Sequence, residues 1–108
     1  MKFFKSLEYF EEMILRWAKD RQLLKNSTPQ VQMLKLVSEI GELADNVAKG
    51  RDVRDDIGDC LVVLTIIANQ MDTDLNECFK VAYEDIKHRK GYMNELGIFI
   101  KEGDTGVH

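Results

Sequence analysis

Apolar residues recur at helical spacing along most of the chain. Phe10, Met13, Ile14, Trp17 and Ala18 follow an i, i+3, i+4 pattern, which predicts a first helix over 6–24. Ser6 stands where an N-cap is needed, and Glu8 is a favourable first-turn acid. Asn26-Ser27-Thr28-Pro29 reads as a loop, with Thr28 as N-cap and Pro29 at N1 of a second helix over 29–49. In that helix Leu36, Val37, Ile40, Leu43, Ala44 and Val47 form one apolar stripe. Lys35, Glu39, Glu42 and Asn46 fall along one edge of it. Gly50 is placed as a C′ residue. Asp52, as N-cap, opens a third helix over 53–71. Its second half, Leu61-Val62-Val63-Leu64-Thr65-Ile66-Ile67-Ala68, is apolar on every side and so is expected to be buried on every side. One small subunit does not achieve that alone, so a partner chain is expected to cover part of it. Asp74 and Glu77 resemble a capping box for a fourth helix over 75–90, which Gly91 is expected to close. Residues 92–108, with three glycines and the short run Ile98-Phe99-Ile100, read as an extended, weakly ordered tail. The expectation is an all-α, four-helix domain over 1–91, completed by homo-oligomerisation.

Composition narrows the class. The 108 residues fit one domain, and 44% hydrophobic residues can bury a small core. A net charge of −4 gives no global basic field for duplex nucleic acid. Cys60 and Cys78 lie in apolar stretches without a CxxC, which fits reduced core thiols in a cytoplasmic protein. Residues 1–6 carry no apolar run and no small-residue cleavage site, so no signal peptide is expected. The longest apolar run, residues 60–68, is far short of the ~20 needed to span a bilayer.

The strongest chemical signal is a pair of matching tetrapeptides, Glu39-Ile40-Gly41-Glu42 and Asp56-Ile57-Gly58-Asp59. Each sets two carboxylates at i, i+3, on one helix face. Lys49-Gly50-Arg51-Asp52 between them reads as a helix stop followed by a helix start. Glu42 and Asp56 are equidistant from Lys49, and so are Glu39 and Asp59. An antiparallel hairpin would therefore set all four acids level. Four converging acids repel one another unless a cation sits among them. Mg²⁺, or Mn²⁺, suits carboxylate oxygens of this kind. Gly41 and Gly58, one beside the second acid of each pair, suggest close helix approach. The competing reading makes the acids a solvated face balanced by Lys35, Lys49 and Arg51. A ferritin-like di-iron site needs Glu-x-x-His twice, and only a remote analogue, Asp85-Ile86-Lys87-His88, occurs.

Lys87-His88-Arg89-Lys90 either complements a helix C-terminus or binds phosphate. Lys35 either neutralises Glu39 or reaches a phosphate oxygen. Trp17 either packs in the core or stacks on a base. Asn69, in an apolar helix, needs hydrogen-bond partners if buried. His88 and His108 have no ligand spacing. No GxGxxG, GxxxxGK[ST], GxSxG or HExxH occurs.

These residues resemble the MazG-like nucleotide pyrophosphohydrolases, in the all-α NTP pyrophosphohydrolase superfamily that also holds the dimeric dUTPases. The family pattern is ExxE, a spacer, then ExxD. It is matched by Glu39-x-x-Glu42 and Asp56-x-x-Asp59, within Leu34-Lys35-Leu36-Val37-Ser38-Glu39 and with Ile86-Lys87-His88-Arg89-Lys90-Gly91 downstream. The resemblance covers about 17–102. It departs at Asp56, where the family usually has Glu. It implies a MazG-like bundle in a homodimer or homotetramer, and hydrolysis of a nucleoside triphosphate to monophosphate and pyrophosphate by water attack at the α-phosphate. It implies Glu39, Glu42, Asp56 and Asp59 as ligands of Mg²⁺ (or Mn²⁺), with Glu39 or Glu42 as general base. Lys35, Lys87 and Arg89 would meet phosphates and Trp17 the base. The competing class is a non-enzymatic helical oligomer that binds a partner through its apolar third helix.

Overall fold

A computed structural model describes residues 5–103. Among these residues, five helices precede a two-stranded hairpin: α1 (Leu7–Asp20), α2 (Leu23–Asn26), α3 (Pro29–Ala48), α4 (Arg54–Gln70), α5 (Leu75–Ile86), β1 (Gly91–Met93) and β2 (Phe99–Lys101). The mostly helical expectation holds, and the differences from it are local. The expectations for residues 1–4, for 104–108 and for His108 lie outside the described residues.

Ser6 caps α1 as expected, its Oγ accepting from the Tyr9 N–H at 3.1 Å. The first helix does not run on to residue 24. Gln22 takes a left-handed φ of 61°, which an α-helix cannot absorb, and a short α2 follows. Asn26 Nδ2 donates to Gln22 Oε1 at 2.8 Å across that break. Gln70, at the end of α4, fastens the corner by donating to the Ser27 carbonyl at 3.1 Å.

Thr28 caps α3, accepting from the Val31 N–H at 3.1 Å, with Pro29 in the first turn. At the other end Gly50 has φ 66°, its N–H meets the Val47 carbonyl at 3.1 Å, and the Arg51 N–H meets the Asn46 carbonyl at 2.9 Å. This is a Schellman closure, and it reverses the chain. Asp52 is not the side-chain cap expected for the next helix. Val53 holds that position without a side-chain bond, while Asp52 accepts from the Arg54 backbone at 3.0 Å and pairs with its guanidinium.

α4 returns along α3, and α1 packs against α4. Leu36, Cys60 and Val63 form the core, with Leu43 and Ile67 packed on them. Burial of α4 is one-sided rather than complete: Val63, Thr65, Ile66 and Ala68 are buried, whereas Ile57 and Leu64 are exposed. Asn69 is also exposed, so it places no buried amide in the core. No helix among the described residues is long and apolar enough to cross a membrane. Both cysteines are unbridged. Cys60 is the buried thiol expected, but Cys78 is exposed.

The chain divides into two compact units between Glu77 and Cys78. Asp74 caps α5 by accepting from the Glu77 N–H at 2.8 Å. Gly91 does not close that helix, which ends at Ile86. It opens β1, opposite Lys101 in an antiparallel pair, and a Cβ there would collide with the Ile100 carbonyl oxygen. The stretch expected to be an extended tail is thus a hairpin, with Ile100 its buried residue.

Gly41 and Gly58 do not mark close helix approach, since a Cβ at either would meet nothing within 4 Å. Gly50 differs only in its backbone. Gly50→Ala should therefore cost about 1 kcal/mol, from its positive φ alone. Gly41→Ala should stabilise by up to about 1 kcal/mol, by helix propensity. Urea midpoints at unchanged m-value distinguish the two.

Candidate functional site

The Schellman turn sets the last turns of α3 opposite the first turns of α4. The edge of α3 that carries Lys35, Glu39, Glu42 and Asn46 meets the face of α4 that carries Asp56 and Asp59. Glu39 is only 6% exposed, and Asp56 only 8%. Buried carboxylates are costly without compensation, so the partners of each define the site.

Glu39 is paired on one side only. Lys35, one turn earlier, places Nζ 2.9 Å from Oε1. The other oxygen, Oε2, is buried and accepts no hydrogen bond. Asp56 is better satisfied, since Asn46 Nδ2 donates to both of its oxygens, at 3.1 and 3.0 Å. Arg51 Nη1 approaches Asn46 Oδ1 at 3.5 Å and helps orient that amide. Asp56 also lies in the first turn of α4, where the helix dipole favours negative charge.

The remaining acids feel this cluster. The charge of Glu39 and a hydrogen bond with it raise the Glu42 carboxyl above its ordinary range. Asp59 is half-buried, and its carboxyl is raised first by that burial and then by Asp55, Glu39 and Asp56. The Lys35 ammonium is raised by its hydrogen bond to Glu39. Cys60, beneath the acids, is raised mainly by burial and so is not an activated nucleophile. Four carboxylates thus share one field with one ammonium among them.

The structure brings together five of the expected site residues: Lys35, Glu39, Glu42, Asp56 and Asp59. It does not bring the acids' oxygens into a finished cage. Among the described residues no group of three or more His, Cys, Asp or Glu side chains is arranged to hold a metal ion. Glu39 is engaged by Lys35 and Asp56 by Asn46. The donor set nonetheless fits a hard divalent cation, which prefers carboxylate oxygen. The unpartnered Oε2 of Glu39 is the atom such an ion would satisfy.

Three expected residues lie elsewhere. Trp17, on α1, is 44% exposed rather than core, with the Arg21 guanidinium 4.7 Å from its ring centroid. Lys87 and Arg89 belong to the second unit, where they pair with Glu84 and Asp85. Asn46 is a site residue with no role assigned from sequence. Its place on the Lys35–Glu39–Glu42 edge was the available signal.

A model of the MazG nucleotide pyrophosphohydrolase domain matches residues 27–93. An uncharacterized 18.2 kDa protein of Haemophilus phage HP1, from its rep-hol intergenic region, is 46% identical over 70 residues. That match takes in 63% of this chain but only 43% of the relative, so the chain spans under half of its length. The fold is similar to that of the cyanophage S-2L MazG-like pyrophosphohydrolase, solved with dGDP and three catalytic Mn²⁺ ions per active site. The TM-score is 0.66 at 19% identity, over 91% of this chain and 98% of that one.

Removing the Asn46 amide would leave Asp56 buried without its side-chain donor. Asn46→Ala should cost about 1–3 kcal/mol in denaturant unfolding. Asn69→Ala, at an exposed position, should stay within about 0.5 kcal/mol.

Proposed function

Because the chain belongs to the MazG nucleotide pyrophosphohydrolase family, we propose that it hydrolyses a nucleoside triphosphate to monophosphate and pyrophosphate, with a divalent metal held between α3 and α4. The observation that carries this reading is the buried, unpartnered oxygen of Glu39 in a field of three further carboxylates. A solvated acidic face leaves no such atom, which disfavours the partner-binding scaffold.

Glu39, Glu42, Asp56 and Asp59 are the residues that would hold the ion. Mg²⁺ or Mn²⁺ bound there supplies neutralisation of phosphate charge and a more acidic bound water. Glu42 is the better proton acceptor of the two candidates. It is exposed and open to water, whereas Glu39 is buried and paired. Lys35 meets phosphate oxygens, and the exposed ring of Trp17 is the surface on which a base would stack. Attack by water at the α-phosphate releases pyrophosphate. The metal-bound, nucleotide-bound state of the cyanophage protein supports this assignment of ligand classes.

We also propose assembly as a homodimer or homotetramer in the cytoplasm. Leu34, Val37, Ile40 and Val47 of α3 are exposed, Leu34 by 73% and Val37 by 63%. A second copy of the chain would cover such a face.

The test is incubation with each common dNTP and NTP, with Mg²⁺, with Mn²⁺ and with EDTA, followed by chromatographic identification of products. Monophosphate plus pyrophosphate is expected. It should be abolished by EDTA and reduced at least about 100-fold by Asp59→Asn, the scale of losing a group that acts on transition-state charge. Diphosphate plus phosphate would overturn the bond assignment. No turnover, together with no metal-dependent rise in Tm, would favour the scaffold.

A further inference from the structure

Lys35 and Glu39 form an unequal pair. The Lys35 side chain is 61% exposed and that of Glu39 only 8%. With Lys at i and Glu at i+4 the order is also the weaker one for a helix-surface ion pair. The helix itself therefore does little to hold the two together. What holds them is the need of a buried carboxylate for a countercharge. That need is half met, since one Glu39 oxygen has the ammonium and the other has no donor while Glu42 is ionised. The Lys35 stem is free to move through solvent, whereas Glu39 is fixed in the seam.

We propose that Lys35 is a built-in cation that neutralises Glu39 while the site is free of metal and is displaced from it when a divalent ion binds. The inference rests on the metal-site reading above and adds an order to it. A divalent ion brings two charges to a carboxylate that now has one, and it reaches the oxygen Lys35 leaves unpaired. The released ammonium stays on the edge of α3 that carries Glu39 and Glu42, available to a nucleotide's phosphate oxygens. Lys35 thus links the two occupancies: it is unavailable to phosphate before the metal arrives and available afterwards.

The test measures Mn²⁺ binding to the full chain, by calorimetry and by loss of the free-ion EPR signal, with no nucleotide present. Lys35→Met and Lys35→Gln remove the competing cation and should tighten Mn²⁺ binding by about two- to tenfold, the span between an exposed ion pair and a partly buried one. Lys49→Met is the control. It removes a like charge from the C-cap of α3, but one paired with Asp45 at 2.7 Å rather than with Glu39, and should leave the affinity unchanged. Lys35→Met should also lower the metal-free Tm, and saturating Mn²⁺ should erase that deficit. Equal or weaker binding in both Lys35 variants would overturn the exchange while leaving the metal site intact. Equal tightening in Lys49→Met would overturn it too, by showing a general charge effect. If the wild-type chain binds no Mn²⁺, the metal site itself fails and the exchange with it.

Discussion

Two carboxylates buried in one helix–helix seam set the terms for the rest of this molecule. Glu39 and Asp56 lie between α3 and α4, over a core whose buried members are Leu36, Cys60 and Val63. Charges in such a place weaken a fold unless every one is answered. The neighbouring polar residues are arranged to answer them. Lys35 reaches Glu39 from one turn away, Asn46 spans both oxygens of Asp56, and Arg51 leans on Asn46. The Schellman turn makes this possible, because it reverses the chain within a few residues and sets Asn46 against the first turn of α4. Gly50 is the residue that conformation requires.

Features that depend on a local rule were legible in the sequence. Ser6, Thr28 and Asp74 cap the helices they were expected to cap, and α3 begins where its Thr-Pro signal places it. The acid-bearing faces of α3 and α4 follow from helical periodicity alone. Features decided by small energy differences or by distant contacts were not legible. Gln22 has no sequence mark that predicts a left-handed break. Asp52 chose a two-residue bond with Arg54 over capping α4, a local competition that Asp is prone to. The hairpin of β1 and β2 depends on pairing Gly91 with Lys101, which no short-range pattern specifies. Gly41 and Gly58 mirror each other in sequence, yet both face open space, so matching position did not mean matching contact.

The core on which this charge is carried is thin. Few side chains among the described residues are as buried as Ile66 and Thr65, and much of α3's apolar surface remains open. The Thr65 hydroxyl turns inward to the Leu61 carbonyl at 2.7 Å, which lets a polar residue sit there without an unsatisfied group. A thin core has little stability to set against an under-compensated Glu39. Either a cation in the seam or a second copy on the α3 face would strengthen the same pair of helices. Under the proposed function, site occupancy and assembly therefore act on the same weakness, and each should make the other easier.

Asp56 bears on how that occupancy is shared. It stands where the family pattern carries Glu, one methylene longer. Here the shorter side chain ends at the Asn46 amide, and both of its oxygens are taken by that one group. A longer carboxylate would carry its oxygens beyond this contact. The substitution thus ties the acid to the turn that builds the site. A cation entering the seam could share Asp56 with Asn46, because each carboxylate oxygen keeps a lone pair after accepting one hydrogen bond. Glu39 has no such anchor: its second oxygen is unclaimed, and its first is held by an exposed lysine. In the proposed enzyme Glu39 would bring the ion an unclaimed oxygen, and Asp56 would bring oxygens that Asn46 holds in place.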